Sequence, residues 1–166
     1  FPTLIQQVHD CSAITHAHLR SQMACGIYVS IAIQLLKGLH IKKAYQKGIE
    51  KILPLYSQGE YTLELNHFDR IFSGMLGILP GEKINSGGYV IHTLEAALWC
   101  LLNSKTFSEA VLKAVNLGDD TDTTGAVTGG LAGIYYGWEN IPSEWIDKIA
   151  RKDDIIDLAN RLSSSL

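Results

Sequence analysis

At 166 residues, 46% hydrophobic and 19% charged, the chain has the make-up of a globular protein and not of a disordered one. A formal net charge of −3 with no basic stripe excludes the electrostatic footprint of a general nucleic-acid binder. No uninterrupted apolar run approaches the ~20 residues needed to span a bilayer, so no membrane partner is expected. Cys11, Cys25 and Cys100 are odd in number, far apart and set among apolar neighbours. That pattern suits buried thiols in a reducing cytoplasm better than disulfides or a zinc site.

In chain order, the apolar spacing is helical nearly everywhere. Met23, Ile27, Ile31 and Leu35 predict a long buried helix from Leu19 to Gly38, with Gly38 in the glycine position that ends helices. A second helix is predicted from Ile41 to Leu53, with Ala44, Ile49 and Ile52 inward. The stretch from Tyr56 to Ser86 is less regular: one short helix around Leu65–Phe72, then a loop punctuated by Gly74, Gly77, Pro80 and Gly81. Order returns at Gly88, after which Val90, Leu94, Ala97, Leu98 and Leu101 share a helical face. Thr106 and Glu109 form a capping-box pattern for the next helix, which Gly118 stops. Further helices are predicted from Thr121 to Tyr136, from Pro142 to Ile149 and from Asp153 to Leu162. Neither hairpin signals nor sustained period-two alternation supports a strand. The expectation is a single all-α domain over residues 1–166.

The most informative segment is Gly118-Asp119-Asp120-Thr121-Asp122-Thr123-Thr124, where one helix gives way to the next. Asp120, Asp122 and Thr123 surround one helix start and offer the oxygen ligands that hard cations such as Mg²⁺ take. Asp and Thr are also favoured caps, and first-turn carboxylates are stabilised by the helix dipole, which accounts for any one of them alone. Six oxygen-bearing residues in succession exceed what one cap needs. The helix that follows carries Gly125, Gly129, Gly133 and Gly137 at four-residue spacing, with Gly130 alongside. Each interior glycine costs roughly 1 kcal/mol relative to alanine, and close approach of a neighbouring backbone is the expected compensation. That arrangement predicts a firmly held, buried helix.

The run GDDTDTTGAVTGGLAGIYYG closely resembles the C-terminal metal motif of the ADP-ribosylglycohydrolase family, which includes the dinitrogenase-reductase-activating type. Two further blocks agree in order: Ser12-Ala13-Ile14-Thr15-His16-Ala17-His18, similar to the family's Thr-His segment, and Ser86-Gly87-Gly88-Tyr89-Val90 with Thr93–Trp99, similar to its glycine-tyrosine segment. The resemblance runs from about Ser12 to Ala159. It implies a compact, orthogonal multi-helix fold and hydrolysis of the glycosidic bond between ADP-ribose and a protein side chain or small acceptor. By position it implies metal ligands at Asp120, Asp122 and Thr123 for two Mg²⁺ ions, with Mn²⁺ as a substitute. His16, Gly88 and Tyr89 would line the ADP-ribose cleft, Tyr89 offering a stacking face, with His92 one helical turn further on.

The family pattern also has an N-terminal block with a Thr-Asp-Asp motif and a Glu, which supplies the remaining ligands and the acid–base group. This chain has no match to it and opens Phe1-Pro2-Thr3 without Met or a signal-peptide pattern. The expectation is therefore a C-terminal portion whose catalytic acid–base residue lies elsewhere, with the N-terminal block on a separate chain as one arrangement. Two other readings stand beside the hydrolase: a non-catalytic ADP-ribose or nucleotide-binding module (or inactive fragment) of the same fold, and a purely structural helical protein. A transition-metal site at His16 and His18 lacks a third nitrogen or sulfur ligand nearby in sequence.

Overall fold

Phe1 caps a helix that the apolar periodicity does not announce. A computed structural model describes residues 1–165, and all regular elements among them are helical. In α1 (Pro2–Ala13), Pro2 occupies the first turn, where no backbone amide is needed. Only Ile5 and His9 are buried, so the inward face is short and half polar. His9 is satisfied on both ring nitrogens: Nε2 lies 2.9 Å from the Tyr56 hydroxyl and Nδ1 lies 3.0 Å from that of Tyr61. Tyr56 donates onward to the Met23 carbonyl at 3.3 Å, which leaves its oxygen to accept from His9 Nε2–H. Burial pushes the His9 pKa below its ordinary value, against a smaller opposing effect from Asp10.

The central helix α2 (Leu19–Leu36) packs against α1, α3 (Ile41–Tyr56), α5 (Val90–Leu102) and α7 (Thr121–Tyr136). By length and composition alone its 18 residues, of mean hydropathy 1.2, would suffice to cross a membrane, yet half of that window is buried within the fold. The end of α2 is the predicted glycine stop. Gly38 adopts φ +77°, its amide donates to Leu35, and that of Leu39 reaches back to Gln34, the paired bonds of a Schellman motif.

Helix α3 runs one turn beyond its predicted end at Leu53, through Pro54 to Tyr56. A proline so close to the C-terminus forfeits one amide donor without breaking the following turn. That last turn buries Tyr56 completely, where it meets His9. Gly48 brings α3 against α2 so closely that the Ser30 hydroxyl donates to its carbonyl at 2.8 Å.

The irregular stretch resolves into a 3₁₀ turn (Gly59–Leu63), a second (Leu65–Phe68) passing directly into α4 (Asp69–Phe72), and two more at Leu76–Ile78 and Gly81–Lys83. It is held by side chains that satisfy its backbone. Tyr45 donates to the Ile71 carbonyl (2.6 Å), Trp99 Nε1 to Leu79 (2.8 Å) and Asn103 to Gly77 (3.0 Å). Arg70 bonds the Lys83 carbonyl and pairs at 3.1 Å with Glu95, a carboxylate only 3% exposed whose pKa burial raises and Arg70 restrains.

Helices α5, α6 (Phe107–Val115) and α7 pack together. Thr106 caps α6, accepting from the Glu109 amide at 3.1 Å, while the Glu109 carboxylate accepts from Lys105 N–H at 2.8 Å. The capping box is thus displaced by one residue on its return bond. The short helix α8 covers Ser143–Ile146, stopping three residues before the predicted Ile149, and α9 (Lys152–Ser164) buries none of its residues.

The glycines of α7 differ from expectation. A Cβ on Gly125 would meet Val115 Cγ1 at 3.0 Å and one on Gly129 would meet Val111 Cγ2 at 3.8 Å, whereas Gly133 faces open space. Valine side chains of α6, not a neighbouring backbone, fill this groove. The helix itself is half-exposed, burying only Thr124, Thr128, Leu131 and Ala132. Gly137, at φ +85°, ends it. The thiols also depart from expectation. Cys100 is buried, and burial pushes it up to about 12, but Cys11 is exposed and Cys25 is partly so. The sequence shows apolar neighbours but not the cleft on which both open.

Candidate active site

Two loops meet at the start of α7. Gly118 (φ +89°) and Asp119 (φ +53°) reverse the chain after α6. The Asp120 amide then donates to the Ser86 carbonyl at 3.1 Å, and the buried Ser86 hydroxyl donates to the Gly118 carbonyl at 3.1 Å. Segments 32 residues apart are thereby fixed side by side. Gly88 sits against the Asp120 carboxylate: a Cβ there would lie 3.0 Å from Oδ2. Asp120 is the residue ahead of α7, but its side chain makes no capping bond, so the carboxylate is not consumed in holding the helix end. The pKa of Asp122 is lowered, first by hydrogen bonding with the Asp120 carboxyl and then by the backbone amides of Thr123 and of Asp122 itself.

Gly88 and Asp120 border a cleft of about 1340 Å³. Its walls are α1, the loop carrying His16 and His18, one face of α2 with Tyr28, the segment from Gly88 to Leu94, and the face of α7 with Thr123 and Val127. Tyr28 donates to the Val127 carbonyl at 3.2 Å, and Gly130 admits it, since a Cβ there would fall 2.4 Å from the Tyr28 hydroxyl. The first turns of α2, α5 and α7 all border the same space, so three positive helix ends meet around it.

Of the residues expected from sequence, His16, Gly88, Tyr89, Asp120 and Thr123 line this cleft together. His16 is exposed, with Nδ1 3.0 Å from the Thr15 hydroxyl. Asp122 is exposed and stands behind Asp120 instead of on the lining. His92 is also off the lining: its ring packs edge-on against Tyr89, centroids 5.0 Å apart, and so backs the tyrosine. His18 caps α2, its Nδ1 accepting from the Arg20 amide at 3.2 Å. Arg20 and Tyr28 have no local motif to mark them; they share α2 with Ser21, Gln22, Ser30 and Gln34, and nothing in the sequence sets them apart.

The donor chemistry suits a hard cation in part. Asp120, Asp122 and Thr123 supply only oxygen, as Mg²⁺ requires, and the fully buried Thr124 hydroxyl beside them has no hydrogen-bond partner among the described residues. No group of three or more His, Cys, Asp or Glu side chains placed to hold a metal occurs among the described residues. Asp120, Asp122 and Thr123 thus offer oxygens without a complete ligand set among the described residues.

The model of the ADP-ribosylglycohydrolase family matches residues 2–166, and the chain belongs to that family. It is 48% identical to the ADP-ribosylarginine hydrolase Tri1 of Pseudomonas putida and 35% identical to that of Serratia proteamaculans, over 97% and 91% of this chain. It is 30% identical, over 84% of its length, to the ADP-ribosyl-[dinitrogen reductase] glycohydrolase of Rhodospirillum rubrum. These alignments take in 43%, 38% and 41% of the respective relatives, so the chain spans about two-fifths of their length. A solved structure described as an ADP-ribosylglycohydrolase-related protein complex superposes with a TM-score of 0.78 at 28% identity, covering 95% of this chain and 52% of the other.

Proposed function

We propose that this chain provides the metal-binding and nucleotide-facing half of a magnesium-dependent hydrolase that releases ADP-ribose from a modified arginine side chain. The observation that carries the reading is the meeting of Asp120 and Thr123 with Gly88 and Tyr89 across one cleft, with the Asp120 carboxylate free of capping duty. Asp120, Asp122 and Thr123 would hold the metal, the balance of its ligands coming from outside this chain. When bound, the metal would supply a Lewis acid for the ribose hydroxyls and an acidified water.

The chain's own residues do the positioning. Tyr89, backed by His92, offers a flat face to a base or ribose. Gly88 keeps the wall low beside Asp120, and His16 presents its free Nε2 at the rim. The three helix ends favour an anionic ligand. Cleavage at the anomeric carbon develops oxocarbenium character, which the carboxylates at the start of α7 are placed to offset. Arginine as acceptor is supported by the names of the two Tri1 relatives.

The test uses the full-length encoded protein with an ADP-ribosylarginine peptide under Mg²⁺ titration. Even outer partners of metal sites are worth roughly 10–100-fold, so Asp122→Asn should lower metal-dependent release at least about 100-fold. Unchanged turnover would refute the ligand assignment. Tight ADP-ribose binding with no release under any metal would instead favour a non-catalytic binding module.

A further inference from the structure

One permanent cation faces the cleft. Of the described residues that line it, Arg20 is the only Lys or Arg and Asp120 the only Asp or Glu. Arg20 lies in the first turn of α2, its side chain 31% exposed. It does not wave freely in solvent: Nε donates to Glu64 Oε2 at 2.5 Å, and Nη1 donates to the Tyr89 hydroxyl at 3.2 Å. Glu64 is itself only 17% exposed and has His67 Nε2 3.6 Å away. A guanidinium carries five N–H donors; these two bonds engage two and leave three for a ligand. The fork is thus anchored from behind, with its free edge at a space already bordered by three helix N-termini.

We infer that Arg20 is the anion clamp of this cleft, donating to the diphosphate of the bound nucleotide sugar, with Glu64 as the positioning residue that fixes its plane. The inference rests on the ADP-ribose reading above and adds a residue to it. The chemistry favours arginine here because its planar donors match phosphate oxygens two at a time, whereas lysine offers a point charge on a flexible stem. The same bond to Tyr89 couples the clamp to the ring that faces the base or ribose, so one anchored unit spans two parts of the ligand.

The experiment compares ADP-ribose with neutral adenosine, by calorimetry on the full-length protein in Mg²⁺, for wild type, Arg20→Gln, Arg20→Lys and Glu64→Gln, each checked by thermal melting. Losing a charge-assisted pair of bonds should weaken ADP-ribose roughly 10–100-fold in Arg20→Gln. Adenosine affinity should change less than about threefold, Arg20→Lys should fall between, and Glu64→Gln should show a smaller loss of the same selectivity. An equal loss for both ligands would overturn the clamp, because it would mean that Arg20 only holds the Tyr89 ring. Undiminished ADP-ribose binding in Arg20→Gln would overturn it with the hydrolase reading intact. Failure of the wild type to bind ADP-ribose would remove both. Should Arg20→Gln melt at a lower temperature, the wild type still decides: ADP-ribose affinity must fall with added salt more steeply than adenosine affinity, and parallel slopes refute the clamp.

Discussion

A single missing carbon atom shapes the acidic end of the cleft. A methyl group on Gly88 would stand 3.0 Å from Asp120 Oδ2, the mobile tip of a side chain. Gly88→Ala should therefore cost little stability, within about 1 kcal/mol, while turning the carboxylate away from its position. Calorimetric Mg²⁺ affinity should fall while the melting temperature stays nearly fixed; a large drop in melting temperature would show that the glycine serves the fold and not the site. Residues such as Gly88, Tyr89, Asp120 and His16 were legible because each belongs to a short run with a recognisable order. Arg20 was not, since its meaning comes from Glu64, 44 residues later, and Tyr89, 69 residues later. Nor does sequence reveal that His92 would stand behind Tyr89, because a helical turn of separation fits both sides of a ring.

Glycines act differently once embedded in a helix pair. Gly48 faces Ile31 with clearances, for an added Cβ, of 2.6 Å to Cγ1 and 2.9 Å to the backbone Cα. Alanine would gain about 1 kcal/mol of helix propensity, but a backbone cannot step aside as a carboxylate can. Gly48→Ala should be net destabilising by roughly 1–3 kcal/mol in denaturant titration. The contrasting position is Gly133, where nothing lies within 4 Å; Gly133→Ala should stabilise by up to about 1 kcal/mol. The four-residue glycine spacing was plain in the sequence, but identical letters there hide opposite surroundings. Helices with long apolar stripes were readable for the same reason that α1 was not. Its inward face is Ile5 and a histidine, and a buried histidine carries no hydrophobic signal. The predicted end of α3 at Leu53 falls three residues short, because the helix runs through Pro54 to bury Tyr56.

Across the molecule, His9 joins α1 to α2 and α3 through Tyr56, Tyr61 and Met23. Because burial lowers its pKa, the folded chain takes up the proton less readily than the unfolded chain, whose histidine titrates near 6.5. Its contribution is complete above about pH 6.5 and is lost as pH falls toward the lower folded value. Melting temperature should therefore decline between pH 7 and pH 5, and that slope should flatten in His9→Gln; an unaltered slope would assign the acid sensitivity elsewhere. At this scale the all-α class and the order of the main helices followed from periodicity, while the cleft did not. Its walls come from five stretches between Leu4 and Val127, and only tertiary packing brings them together.

The convergence of three helix starts gives the cleft a character that belongs to the main chain. Peptide dipoles do not depend on which side chains a lineage keeps, so their share of the local potential persists through substitutions around the rim. A cation held there must be met by several carboxylates at once, as the start of α7 offers, because the main chain alone favours anions. That bias belongs to the backbone and to no individual amino acid.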